Sequence, residues 1–318
     1  MNKNFCIKIF IILSILLYNS GCVKWMIRHG IDITSPIIIS TGIDTFLKET
    51  DIIIAESAVS SNIKILELLI ENSPDNQELL NNAAFGLSSY GISFVEYEME
   101  KAKLRDAEGD EEIVEFHKNR AIKLYLRGRN YGFKSLCKTK EGEELVNLLK
   151  AKKIDMKNIK LGLKRIKHKQ ISALFWSTVS WASLINISRE NVSEIAFLPV
   201  LRIMIERIKE LDPSYFFGMP HLFDAMLFSV SPVFGGDEKK AKESFERLSK
   251  VNNDKFLMSK VFKARFFCSQ FDYPKEGKRL LKEVIEADTS GWPEKYNLLN
   301  IVAKRRASLY LKYADEIF

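Results

Sequence analysis

Four histidines, at positions 29, 117, 168 and 221, are the first residues to weigh for catalysis or metal binding. A zinc site needs imidazoles and carboxylates at a spacing that closes a coordination sphere, as HExxH does on one helix face. No histidine here stands at such a distance from another or from a carboxylate pair. His221, beside Pro220, reads as a surface turn histidine. A GxSxG elbow, a phosphate-cradling glycine loop and a Cys–His pairing are equally missing. "FGGDEKKA" (234–241) resembles the signature of nucleotide cyclases, but that chemistry needs a β-hairpin, and helical patterns flank it on both sides. The better reading makes Gly235 and Gly236 permissive backbone at a helix end, with Asp237 and Glu238 opening the next helix against its dipole. Nothing in these residues argues for an enzyme, a cofactor or a metal.

Cysteine carries a different chemistry. Cys22 follows Ser20 and Gly21, which close an apolar run, "IKIFIILSILLY", behind Lys3. That order is the layout of a secretory signal peptide over residues 1–21, since the run falls short of the ~20 apolar residues a spanning helix needs. Small residues before a cysteine suit a lipoprotein signal peptidase, so Cys22 is the expected lipid-attachment site. Asn19 stands where an aliphatic residue is usual, and the alternative is an ordinary cut near Gly21 that leaves Cys22 free. The expected location is the bacterial envelope, in the periplasm and tethered to a membrane. Cys137 and Cys268, 131 positions apart, form neither a disulfide framework nor a zinc pattern. They read as small buried hydrophobes, with a single bridge as the alternative.

Three stretches offer binding surfaces. "LYLRGRNYGFKSL" (124–136) places Arg127, Arg129 and Tyr131 near one helix end, as a partner contact or as a packing cluster between helices. "LFWSTVSWASLI" (174–185) puts Trp176 and Trp181 on one helix, as core or as the lining of a groove. Residues 150–169 hold nine Lys/Arg against one Asp, with Lys164, Arg165 and Lys167 at their centre. They read as a solvated basic loop, or as a surface for an acidic partner or an anionic membrane. The formal charge of +7 falls to +5 once Lys3 and Lys8 leave with the signal. An exported chain of that charge meets lipid headgroups rather than nucleic acid.

The elements that must position these residues are helices. Residues 22–49, with Pro36 and Gly42, read as a tether with one short helix. From residue 50 to 318, apolar residues recur at three- and four-residue spacing, and alternating strand patterns are nearly absent. The fold class is all-α, a single array of helical hairpins. "LDPSYFFGMPHLFDAMLFSV" with "GGDEKKAKESFERLSKVN" makes one hairpin, and "DKFLMSKVFKARFFCSQF" with "PKEGKRLLKEVIEAD" a second. Ala225 and Ala264 stand where the paired helices would cross, and units of this size fit degenerate tetratricopeptide-like repeats. "NLLNIVAKRRASLYLKYADEIF" would close the stack.

Taken in order, five stretches resemble the T component of tetratricopeptide-associated TRAP transporters, the TatT family. They are "IKILELLIENSPDNQELLNNAAFGLSSYGISFVEYE", "NRAIKLYLRGRNYGFKSL", "LFWSTVSWASLINISRENVSEIAFLPVLRIMIERIKELDPSY", "VFGGDEKKAKESFERL" and "LLNIVAKRRASLYLKYADEIF". The resemblance implies a periplasmic lipoprotein of cryptic tetratricopeptide repeats that forms a homotrimer and binds the substrate-binding protein of a TRAP system. It implies a non-catalytic adaptor that assists uptake of a small organic or hydrophobic ligand. "FFGMPH" (216–221) departs from the family's more glycine-rich turn and leaves the local loop geometry open. On pattern alone the alternatives are an envelope-assembly scaffold and, less favoured, a lipid-modifying or hydrolytic enzyme.

Overall fold

A computed structural model describes the backbone from residue 3 to 318 apart from Lys152, and the side chains from Lys24 onward. The side chains of residues 1–21, the expected signal peptide, and of Cys22, the expected acylation site, lie outside the described residues. Among the described residues every regular element is helical. The chain runs through α1 (Lys3–Leu47), α2 (Ile52–Asn72), α3 (Gln77–Tyr90), α4 (Glu96–Arg105) and α5 (Asp110–Leu136). Next come α6 (Lys140–Leu149), α7 (Met156–Arg165), α8 (Ile171–Ile187), the short α9 (Val192–Ile195) and α10 (Leu198–Leu211). The last third holds α11 (Tyr215–Phe228), α12 (Glu238–Asn252), α13 (Met258–Phe262), α14 (Pro274–Glu286), α15 (Asn297–Lys312) and α16 (Ala314–Ile317).

Local chemistry sets most of the boundaries. Asp51 starts α2 by accepting from the Ile53 and Ile54 amides at 2.8 and 3.2 Å. Asp237 starts α12 in the same way, accepting from the Lys240 amide at 3.0 Å. Gly109, at φ +82°, turns the chain between α4 and α5. Gly235, also at φ +82°, turns it before α12, where a side chain would run into the Arg202 guanidinium. "FGGDEKKA" is therefore a turn and a cap, as its residues suggested.

Three expectations need correction. Residues 23–49 are helical through Leu47 rather than a tether with one short helix. Pro36 removes one backbone donor, but Ile31, Ile39 and Phe46 pack against the body, and Asp32 accepts from Ser73 and Asn76 at 2.5 and 2.8 Å. Tertiary contact decides there against local preference. The basic stretch is likewise not a loop, because Met156–Arg165 coils as α7 and buries Ile159 and Leu163, followed by buried Ile166. Its lysines are the wet face of an amphipathic helix. His221 is not on a surface turn: it is buried inside α11 beside Asp224, whose carboxylate pairs with Lys209 at 2.7 Å. Burial, reinforced by Lys209, pushes its pKa down.

Beside two small apolar clusters between α2 and α3, most of the packing falls into two cores. One is built from α5 to α8 and α10, around Tyr125, Phe175, Trp176 and Leu201. The other is built from α12 to α15, around Leu248, Phe262, Leu281 and Tyr310. α11 serves both, giving Phe223 and Leu227 to the first and Leu222 and Ala225 to the second. The expected hairpins are present, α11 packing on α12 and α13 on α14, with Ala225 and Ala264 fully buried. In the first core, Gly128 and Gly132 let α5 approach α8 closely. A methyl group on Gly132 would stand 2.6 Å from Ser177 Cβ.

Phe216, Phe217 and Gly218 are the joint between the cores. Their φ angles of 41, 65 and 81° are left-handed, a conformation bulky residues adopt at a cost of about 1–3 kcal/mol each. The two rings touch edge-to-face, with centroids 5.0 Å apart, and each packs on a different core. Phe216 packs on Phe85 and Trp176, and Phe217 on Phe256 and Tyr296. Aromatic burial holds the strain, and this is the geometry that "FFGMPH" adopts.

Candidate functional site

A cavity of about 300 Å³ opens where the two cores meet. That is the lower end of the size range of small-molecule pockets. α8 supplies Ala182, Ser183 and Ile185, α11 supplies Phe223 and Leu227, and α13 with the turn after it supplies Phe262 and Phe266. The wall is mostly apolar. At the buried end stand Glu96 and Glu100 from α4 and Arg306 from α15. At the open end stand Arg189, Gln270 and Phe234, all exposed.

Two departures from α-helical winding border this cavity. Gly91–Val95, between α3 and α4, and Lys263–Cys268, after α13, are both π-bulges. Such bulges free backbone carbonyls and recur at functional sites. In the first, Arg306 donates to the Ile92 carbonyl at 2.7 Å and Arg305 to the Ser93 carbonyl at 2.8 Å. Gly91 permits the bulge to press on Tyr125, whose ring would stand 2.5 Å from an added methyl. Ile92 from one bulge and Phe266 from the other both line the cavity.

The buried end is an ionic cluster short of one positive charge. Arg306, only 1% exposed, lies 3.2 Å from Glu100, which also accepts from the Tyr310 hydroxyl at 2.7 Å. Tyr125 donates its hydroxyl to Glu96. One guanidinium cannot compensate two carboxylates out of water. Burial, with Glu100 adding to it against Arg306, raises the Glu96 pKa to about 7, so this carboxyl is close to half protonated at neutral pH. Arg306 is held firmly charged: burial works against it, but Glu100 and Glu96 outweigh that.

The residues singled out from sequence sit elsewhere, and none of them lines the cavity. Arg127 and Tyr131 meet at Glu67, the arginine as an ion pair and the tyrosine through its hydroxyl at 3.3 Å, and so fasten α5 to α2. Arg129 stacks over the Trp181 ring at 5.1 Å, and both reach Glu194, at 3.7 and 2.8 Å. Trp176 and Trp181 are buried in the first core. Lys164, Arg165 and Lys167 are exposed on and just after α7, where Arg165 pairs with Glu144 at 2.6 Å. Cys137 and Cys268 are both free thiols, so the single bridge is excluded, and burial pushes Cys268 up to about 11.

Sequence reading missed Glu96, Glu100, Arg189 and Arg306. The available signal was Glu96 and Glu100, four residues apart on one face of α4. The paired Arg305 and Arg306 in the middle of the closing helix were a second. Among the described residues no three metal-ligating side chains converge, and no helix is long and apolar enough to cross a membrane.

Comparison with known families decides the wider context. The model of the TRAP transporter T-component family matches residues 48–318, from the end of α1 to the last residue. The chain belongs to that family. It is an accessory component associated with a TRAP transporter, and its helical body is the family's matched region. No curated protein matches the chain.

Proposed function

We propose that this T component is a lipid-anchored periplasmic adaptor. It docks the substrate-binding protein of a TRAP transporter and assists passage of a small organic or hydrophobic ligand. The observation that carries the reading is the apolar cavity between the cores. A chain of a transporter family with room for a small apolar molecule, and no catalytic constellation facing it, is suited to hold a ligand rather than change it. Val233 and Phe234, 88% and 52% exposed beside the open end, give a docking partner apolar surface where the ligand would cross. Lys164, Arg165 and Lys167 offer a separate basic face to an acidic partner or to anionic lipid.

The body self-associates as a homotrimer in this reading. Met26, Ile33, Ile37 and Ile38 on α1, with Ile53 and Ile54 on α2, form an uncovered apolar band of the kind that protein contacts bury. Sedimentation of residues 23–318 is expected to show a species of about three chains, and added cognate binding protein to produce a heavier one. A monomer that ignores the binding protein at tens of micromolar overturns the adaptor role.

Anchoring is through acylated Cys22. One acyl chain gives only marginal membrane affinity, so stable attachment needs at least two. Cells grown with radiolabelled palmitate are expected to label the chain, and the Cys22→Ala variant to lose the label. Label retained by that variant removes the anchor.

A further inference from the structure

We infer that the cavity binds an anionic amphiphile, a molecule with an apolar body and a single carboxylate head, and that Arg189 at the open end reads the head. The inference deepens the proposed ligand-passing role by naming the ligand class, but its test measures binding to this chain alone.

Arg189 is the first observation. It lines the cavity, and its hydrogen bonds go to its own neighbour Asn186, at 3.2 Å to the carbonyl and 2.6 Å to the side-chain oxygen. No described carboxylate lies within ion-pair distance of it. Most other arginines of the body have such a partner or a backbone carbonyl, as Arg127, Arg129, Arg165, Arg202 and Arg207 show.

A second cation, Arg265, is near enough for its charge to act on Arg189, although it does not line the cavity. Arg265 is half-buried against the rings of Phe266 and Tyr310 at 6.0 and 5.9 Å, and it too has no described carboxylate in reach. Phe266, which Arg265 covers, is part of the cavity wall.

The wall sets the rest of the ligand. Ile185, Leu198, Phe223, Leu227 and Phe262 ask for an aliphatic or aromatic body, and the volume suits a chain of medium length. The buried end sets the orientation. Glu100 and Glu96 stand there, with Arg306 already committed to Glu100 and the Ile92 carbonyl, so an anionic head is repelled from that end. The head stays at the mouth and the apolar body points inward. A cationic amphiphile would meet Arg189 at the mouth, and a neutral one would leave it without a counter-charge.

Photolabelling tests this on the purified full chain, with a diazirine-bearing decanoic acid as the probe. Adducts are expected in α8 and α11. Decanoate is expected to compete at least about tenfold more effectively than decanol, because a charge-assisted bond to the head is lost in the alcohol. Decyltrimethylammonium should compete no better than decanol. Arg189→Gln and Arg189→Glu should each erase decanoate's advantage while leaving the fold intact, since the side chain is exposed and its hydrogen bonds go only to Asn186. Ala182→Trp, which fills the cavity, should abolish labelling altogether. Equal competition by decanoate and decanol, or an advantage that survives Arg189→Glu, overturns the head-group assignment. Labelling that survives Ala182→Trp, or that never appears in the wild type, overturns the cavity as the site. Either failure leaves docking of the binding protein to be judged by sedimentation.

Discussion

Replacing Arg306 by methionine is expected to destabilise the chain by about 3–5 kcal/mol, among the largest effects any single side chain here can have. The reason lies in what the change leaves behind. Arg306 is almost wholly buried, lies 3.2 Å from Glu100, and satisfies the Ile92 carbonyl freed by the first π-bulge. Methionine fills much of the same volume, so the loss is electrostatic rather than a cavity. Glu100 keeps its bond from Tyr310 but loses its counter-charge, and Glu96 loses the one cation near it. A second substitution separates this cause from packing. Glu100→Gln in the Arg306→Met background removes the orphaned charge and should recover most of the loss. Urea unfolding of the two variants and the wild type measures both steps. A loss below about 1 kcal/mol in the single variant would mean that the cluster is not the clamp between α4 and α15.

That clamp also explains why the two cores enclose a cavity instead of closing on each other. α15 was legible as the element that ends the stack, and it does pack on α13 and α14. Its two arginines give it a further task, since Arg305 and Arg306 reach back to a bulge more than 200 residues earlier in the chain. Two polar bonds to a bulged turn hold the closing helix at a fixed distance from α4. The space beside them is then left for Phe262, Phe266 and Leu227 to line.

What could be read from the sequence was whatever local chemistry dictates. The alternation of helix and turn, Gly109 as a breaker, Asp237 as a cap, and Ala225 and Ala264 at helix crossings all follow from residue type and spacing. What could not be read depended on distant partners. Pro36 argued for a break in α1, and only the packing of Ile31 and Ile39 on the body reverses that. Phe216 and Phe217 have no local preference for a left-handed turn, and the rings that hold them come from four other segments. His221 beside a proline looked like a turn residue, and α12 buries it. The cavity joins residues 96, 189 and 306, which no sequence spacing connects. The tryptophans stood out by type and proved to be core, whereas the site's arginines looked like the rest of a basic surface.

Glu96 gives the stability a pH dependence of defined sign. Its pKa is about 7 in the folded chain against an ordinary 4.5. Between those values the folded state holds a proton that the unfolded state has released, so stability falls as pH rises through the window. Above about pH 7 the folded chain keeps a buried carboxylate, at a cost of roughly 3 kcal/mol relative to its protonated form. His221 and His117 work in the opposite direction. Burial lowers both, so their contribution is lost as pH falls below the ordinary histidine value of 6.5. The Glu96→Gln variant isolates the carboxyl from them. Its side-chain oxygen can still accept from Tyr125, while the histidines remain as they were. The difference in unfolding free energy, variant minus wild type, should therefore climb by about 3 kcal/mol between about pH 5 and pH 8. A difference that stays level across that range would show Glu96 ionised throughout, fully compensated by Arg306. The buried end of the cavity would then carry a fixed negative charge at every physiological pH.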